Sequence, residues 1–266
     1  MKYLVASPAK EIARQQRLLA ALDRKFAPEI RKEIARASAD LVAGYERTGS
    51  VPNATIEHEH RMAGLYLDMA IASIEAFGGR VVDQGKCFGL ILEVKGFADF
   101  FRRIAQEYIS GEAIRQRITT ITGTTRAQII RQITAGQADG LGVAEIARSI
   151  TKRIPAISLN RGGTIARTET HGAANFGADQ AARSTGLDLR KEWISVEDDR
   201  TRRVGIDAYG HASMNGQIRD MDQPFSMPAT SGDPISAMFP GDPSLPAGAS
   251  IHCRCGVGHI VIGLDE

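Results

Sequence analysis

Between residues 158 and 185 the chain reads as a helix with almost no bulk along one side. Ala166, Thr170, Ala173, Ala174, Gly177 and Ala181 recur at helical spacing, so one stripe presents only small side chains. A glycine inside a helix costs about 1 kcal/mol relative to alanine, and something must offset that. Small residues let a second backbone come close, so this helix is expected to lie buried against a sheet or another helix. A ligand groove is the less favoured reading of the same stripe.

Helical periodicity also dominates upstream. Leu22, Phe26, Ile30, Ile34, Ala37 and Leu41 mark one face of a long amphipathic helix, in which Pro28 predicts a kink or a fresh start. A second helix is expected over 55–77, with Leu65, Met69 and Ile74 inward and Gly78-Gly79 ending it. Residues 81–96 fit either a strand or a helix start, and 97–109 reads as helix. Short helices are expected near 111–121, 125–138 and 142–153, with Thr124 or Thr125 capping the second. After Gly186 the texture changes. Leu189–Val196, Gly216–Met221 and Ile251–Ile262 carry strand patterns, the last closing the domain. Six of the ten prolines lie between Pro224 and Pro246, in a stretch (224–250) too long for a plain connection. The expected fold is α+β. A mostly helical N-terminal region, 1–155, precedes a C-terminal domain, 156–266, whose small antiparallel or mixed sheet packs on the small-residue helix.

Charge and composition exclude several functions. With 33 Lys and Arg against 31 Asp and Glu, the net charge is +2, which argues against a nucleic-acid coat or a polybasic membrane anchor. No run of 18 apolar residues is present, so no transmembrane helix is expected. The start, MKYLVASPAKEIARQQ, lacks the apolar core of a secretory signal, and synthesis and action in a cytoplasm are expected. Cys87 stands alone while Cys253 and Cys255 form C-x-C, which suits a reducing compartment better than a disulfide framework.

The chemically dense segment runs from Trp193 to Cys255. His211, Cys253 and Cys255 are ligand types that Zn²⁺ prefers, with Asp199, Asp207 or His252 available as a fourth. On a strand the two cysteines would share a face about 7 Å apart, so a shared metal requires a bend. The favoured alternative is a pair of small buried cysteines on the core face of the closing strand. A third reading makes Cys253 or Cys255 a nucleophile with His211 or His252 as base, although no local nucleophile signature flanks them. Elsewhere, Glu57-His58-Glu59-His60 reads as a solvated first helical turn whose carboxylates suit the helix dipole. Arg148, Lys152, Arg153, Arg161 and Arg167 form a basic cluster that could touch DNA phosphates or a partner, or simply be solvated.

One ordered set of elements resembles a known family. Ile165-Ala-Arg167-Thr-Glu169-Thr170 opens the small-residue helix, and Trp193 follows on a strand. Asp199-Arg-Thr-Arg202, His211, Asn215-Gly216-Gln217 and Phe225 come next, then Pro240-Gly-Asp242-Pro243 and Cys253-Arg254-Cys255. In order and spacing over roughly 115–262 this is similar to the phage Mu F-like minor head, or head-morphogenesis, proteins. Two departures are visible. Gly205–Gly210 intervenes before His211, and Arg202 and Arg203 stand where some relatives carry a cysteine pair that would complete a metal knuckle. The resemblance implies a structural virion protein of a tailed phage, sited at the head near the portal vertex and aiding head assembly or DNA packaging and delivery. It implies the portal protein, the major capsid or scaffolding protein and, non-specifically, packaged DNA as partners, with no membrane, catalytic residue or cofactor. Some relatives carry fused toxin or ADP-ribosyltransferase domains, and none is expected here because only Gly256–Glu266 follow the C-R-C. The alternative function is a Cys/His-dependent peptidase or a metal-dependent hydrolase.

Overall fold

The computed structural model describes residues 2–3, 8–53, 55–85 and 97–262. Cys87 lies outside them, as does most of the ambiguous stretch before Gly96. The described elements are β1 (Lys2–Tyr3), α1 (Pro8–Thr48), α2 (Thr55–Gly85), α3 (Phe97–Ser110), α4 (Glu112–Ala138) and α5 (Val143–Arg183). They are followed by β2 (Leu189–Ile194), a 3-10 turn (Ala212–Met214), β3 (Ile218–Asp220), β4 (Phe225–Met227), β5 (Ile235–Ala237), α6 (Ala247–Ser250) and β6 (Gly256–Val261). The fold is α+β, with long helices first and small antiparallel sheets at the C-terminal end.

Several expected helix starts are absent. Helix α1 continues through Pro28 and α5 through Pro155, so the segments read as 142–153 and 158–185 are one helix. A mid-helix proline costs about 3 kcal/mol. Around Pro155 that cost is offset by a buried face of Ile146, Ile150, Ile154 and Ile165. Helix α4 likewise runs unbroken past Thr124 and Thr125. Their hydroxyls donate back to the Thr120 and Ile121 carbonyls, at 2.7 and 3.0 Å, instead of capping a new helix.

The chain forms two compact units. One comprises Arg24–Asp68 and Ile109–Ala166. Its core is Leu41, Val42, Tyr45, Ile129, Ile133, Ile146, Ala147, Ile150 and Ile154. Helix α5 packs closely here upstream of the small-residue stripe, since a Cβ on Gly162 would lie 2.4 Å from the Arg31 side chain. The first turn of α2 corrects the solvated reading of Glu57–His60. His60 is exposed, but His58 is buried and its Nδ1 lies 2.7 Å from Glu33 Oε1, while Glu59 accepts from Thr122 at 3.2 Å.

The other unit comprises Met1–Asp23, Met69–Tyr108 and Arg167–Glu266. Its main sheet has the order β1-β6-β2-β3, all antiparallel, with Trp193 opposite Val257 and Lys191 opposite both His259 and Arg219. Ala173, Ala174, Ala178, Ala181 and Ala182 of α5 are fully buried, and a Cβ on Gly177 would lie 2.7 Å from Ile74 Cα. Close backbone packing is therefore what the stripe serves. Strand β1 covers only the far end of β6, so the near end would expose unpaired backbone groups. Side chains satisfy them. Val257 N–H donates to Asn175 Oδ1 at 3.0 Å, Gln15 Nε2 reaches Val257 O at 3.4 Å, and His171 Nε2 donates to Cys255 O at 2.7 Å.

The proline-rich stretch is built from short elements: β4 and β5 pair as a hairpin and α6 follows. Trp193, Met214, Phe225, Met227, Ala237, Leu245 and Ala249 form a second core with Cys253 and Cys255. The closing strand is shorter than its pattern predicts. It starts at Gly256, and residues 251–255 form a turn in which His252 takes a left-handed conformation (φ 57°).

Candidate functional site

That turn decides where the two thiols go. Cys253 N–H donates to Ser250 O at 3.1 Å, and His252 reverses the chain just before it. The bend that a shared metal requires is thus present. The expected placement of the cysteines on the core face of a strand is corrected to a turn leading into one. His211 arrives from the other side. Its own N–H and that of Ala212 both donate to Arg202 O at 2.9 Å, and Ser195 Oγ donates to its carbonyl at 2.6 Å. The intervening residues 204–210 fold as a side turn, held by Thr230 Oγ1 donating to Asp207 O at 2.6 Å and by a Tyr209–Ala229 bridge. They leave Arg202 and His211 adjacent.

The result is a cluster of three buried groups. His211 Nδ1 lies 3.6 Å from Cys253 Sγ and 3.5 Å from Cys255 Sγ, and the three atoms fall within 4.8 Å of one another. Among the described residues these are the His, Cys, Asp and Glu side chains grouped closely enough to share an ion. Trp193 packs edge-on to the imidazole with centroids 6.1 Å apart. The thiols are driven apart in acidity. Cys255 is pulled well below its ordinary range by the Cys253 hydrogen bond and by His211 and Trp193, whereas burial pushes Cys253 well above it. A cavity of about 20 Å³ adjoins the cluster, lined by Thr201, Arg202, His252 and Arg254 among others. It has room for one water or ion.

The other sequence candidates divide cleanly. Asp199 is exposed, and Asp207 accepts from Arg203 N–H at 2.9 Å inside its own turn. His252 lines the cavity without joining the cluster. Arg202 donates to the Ala249 carbonyl at 3.3 Å and to Ile251 O, and its Nη1 lies 3.4 Å from His211 Nε2. Arg254 grips Asp198, a residue the sequence reading passed over for its neighbour. That pairing holds the Asp198 carboxyl well below the usual carboxylate range. Gly216 turns at φ 75° and donates to Trp193 O. Asp242 organises its loop by accepting from the N–H groups of Met238 and Ser244, at 2.8 and 2.9 Å. Glu169 is buried on α5.

Of the basic cluster, Arg148, Lys152 and Arg153 are exposed. Arg161 is absorbed into its unit, donating to Thr125, Gln128 and Ile121 O, and burial lowers its pKa. Arg167 pairs with Asp23 at 3.0 Å.

Sequence reasoning also missed Lys191. Alternation alone does not predict a fully buried lysine in β2, and here its Nζ donates to Met238 O at 2.9 Å and sits 5.3 Å from the Phe225 ring centroid. Burial lowers its pKa.

Residues 127–258 match the family model described as phage Mu protein F like protein. Among curated proteins, the NAD(+)–arginine ADP-ribosyltransferase EFV of Enterococcus faecalis is 25% identical over 170 residues, covering 63% of this chain and 32% of that protein. The chain therefore spans about a third of that relative's length. No solved structure matches.

Proposed function

We propose, from the match of residues 127–258 to the family model described as phage Mu protein F like protein, that the protein is a structural minor head component of a tailed phage. In this reading it is associated with the portal and the inner head and aids head assembly or DNA packaging and delivery. One observation carries the non-enzymatic side: His211, Cys253 and Cys255 are each only 3% exposed, and the space beside them holds little more than a water. A peptidase or hydrolase needs a cleft that admits a substrate beside its nucleophile. The transferase activity in the relative's name belongs to a protein about three times as long as the aligned stretch.

The portal protein is the primary partner in this reading, with the major capsid or scaffolding protein beside it. Arg148, Lys152 and Arg153, exposed on α5, supply weak salt-sensitive contact with packaged DNA. Among the described residues no helix is long and apolar enough to cross a membrane.

The test is direct. Tagged protein is expected to co-purify with portal or procapsids, and mass spectrometry of purified virions to detect it. Absence from particles together with no portal binding overturns the assignment. Turnover of a peptide, nucleotide or nucleic acid that is lost in Cys255→Ser while the fold persists overturns the non-enzymatic part.

A further inference from the structure

The geometry points to a single Zn²⁺ ion held by His211 Nδ1, Cys253 Sγ and Cys255 Sγ, with water as its fourth ligand in the adjoining cavity. Distance is the first argument. Zinc bonds of about 2.3 Å to sulfur and about 2.0–2.1 Å to nitrogen, at tetrahedral angles, place sulfur and nitrogen about 3.5–3.6 Å apart. The two observed separations are 3.5 and 3.6 Å. Convergence is the second. A neutral imidazole nitrogen has one lone pair or one proton and serves one partner well, yet both sulfurs close on the same Nδ1 at nearly equal range.

The surroundings suit a metal. Two thiolates and one neutral imidazole balance the dication, so the loaded site carries no net charge into a buried place. The donors are soft to borderline, the set that selects zinc over magnesium or calcium. The described ligands come from two chain segments fixed independently, His211 by the Arg202 and Ser195 bonds and the cysteines by the turn at His252. Binding displaces the thiol protons to solvent, and His211 coordinates with its remaining proton on Nε2. That N–H then faces Arg202 Nη1, now 3.4 Å away. Both groups are then donors and make no hydrogen bond to each other, while Arg202 keeps its Ala249 and Ile251 carbonyl acceptors.

Protein purified under non-chelating reductant, reloaded with zinc and desalted, is expected to retain about one zinc per chain by elemental analysis. Replacement by Co²⁺ should give thiolate-to-metal charge transfer and the intense visible bands of a tetrahedral site. Cys253→Ser and Cys255→Ser should each lose those bands. The wild-type cobalt spectrum needs no variant, so a variant that fails to fold does not rescue the proposal. Folded, reduced wild-type protein that retains less than about a tenth of a zinc per chain, or a pale octahedral cobalt spectrum, overturns it. So does full zinc retention in a folded Cys255→Ser variant, which would place the metal elsewhere.

Discussion

Gly172 and Gly241 touch backbone to backbone: a Cβ built on Gly172 would stand 2.7 Å from the Gly241 carbonyl oxygen and 2.9 Å from Tyr108 Oη. Gly241 is itself left-handed (φ 79°), and a Cβ there would meet His171 Nδ1 at 2.5 Å. The contact seats the Pro240–Pro243 loop directly on α5. Gly172→Ala must push that loop away and is expected to destabilise by about 1–3 kcal/mol, read as a lower denaturation midpoint. Gly123 is the control. It is helical, exposed and has nothing within 4 Å of a Cβ, so Gly123→Ala should stabilise by up to about 1 kcal/mol. Equal effects at the two sites would contradict this account of the Gly172–Gly241 contact.

Asn175 does for the edge of β6 what a neighbouring strand does elsewhere. Its Oδ1 accepts from Val257 N–H at 3.0 Å, and its Nδ2 donates to His171 O at 3.1 Å. The nearby His171 Nε2 is already committed as a donor to Cys255 O. Asn175→Ala leaves a buried amide without an acceptor, at a cost of about 1–3 kcal/mol. Hydrogen exchange at the Val257 amide should accelerate beyond the change seen at Lys191, whose strand is paired on both sides. Unchanged protection at Val257 would show that the edge is satisfied otherwise.

The small-residue helix and the α+β class were legible because they rest on periodicity, which sequence displays directly. Strand β2 and the C-R-C were also in plain view. What sequence could not show was which local signal would lose to packing. Pro28 and Pro155 are strong breakers, yet both sit inside long helices whose buried faces outweigh them. Thr124 and Thr125 can cap or bond backwards with equal chemistry, and only their surroundings choose. The cluster of His211 with the cysteines depends on one left-handed residue, His252; histidine is enriched at such positions, but most histidines are not left-handed, so the residue type alone does not announce the turn. Lys191 is hidden by an alternation rule that fails when β2 is covered on both faces.

Asp198, not Asp199, anchors the C-R-C turn. It accepts from both terminal nitrogens of Arg254, from Arg200 N–H at 3.1 Å and from Thr201 Oγ1 at 3.2 Å. Its side chain is still 36% exposed, so solvent and salt screen the pair. Asp198→Asn is expected to cost less than about 1 kcal/mol at low ionic strength, with the deficit shrinking as salt is added. Asp199→Asn, at an exposed position, should leave the melting curve unchanged. A larger loss at Asp199 than at Asp198 would reverse the assignment.

His58 makes one unit acid-sensitive. It is buried against Glu33, and burial, helped by the positive charges of Arg61 and Arg161, lowers its pKa despite the raising effect of the Glu33 carboxylate. The folded-state pKa therefore lies below the unfolded value of about 6.5, and the unfolded chain takes up the proton first. The stability involved is fully present above that unfolded value and declines as pH falls from there toward the lowered folded pKa. Within the window the slope from this one group approaches about 1.4 kcal/mol per pH unit at most. His58→Gln keeps a donor toward Glu33 but cannot titrate. Urea unfolding at about pH 7.5 and about pH 5.5, on either side of the free histidine value, should show a smaller loss on acidification in His58→Gln than in the wild type. Identical losses would mean that His58 takes up its proton as easily folded as unfolded, and that burial does not govern it.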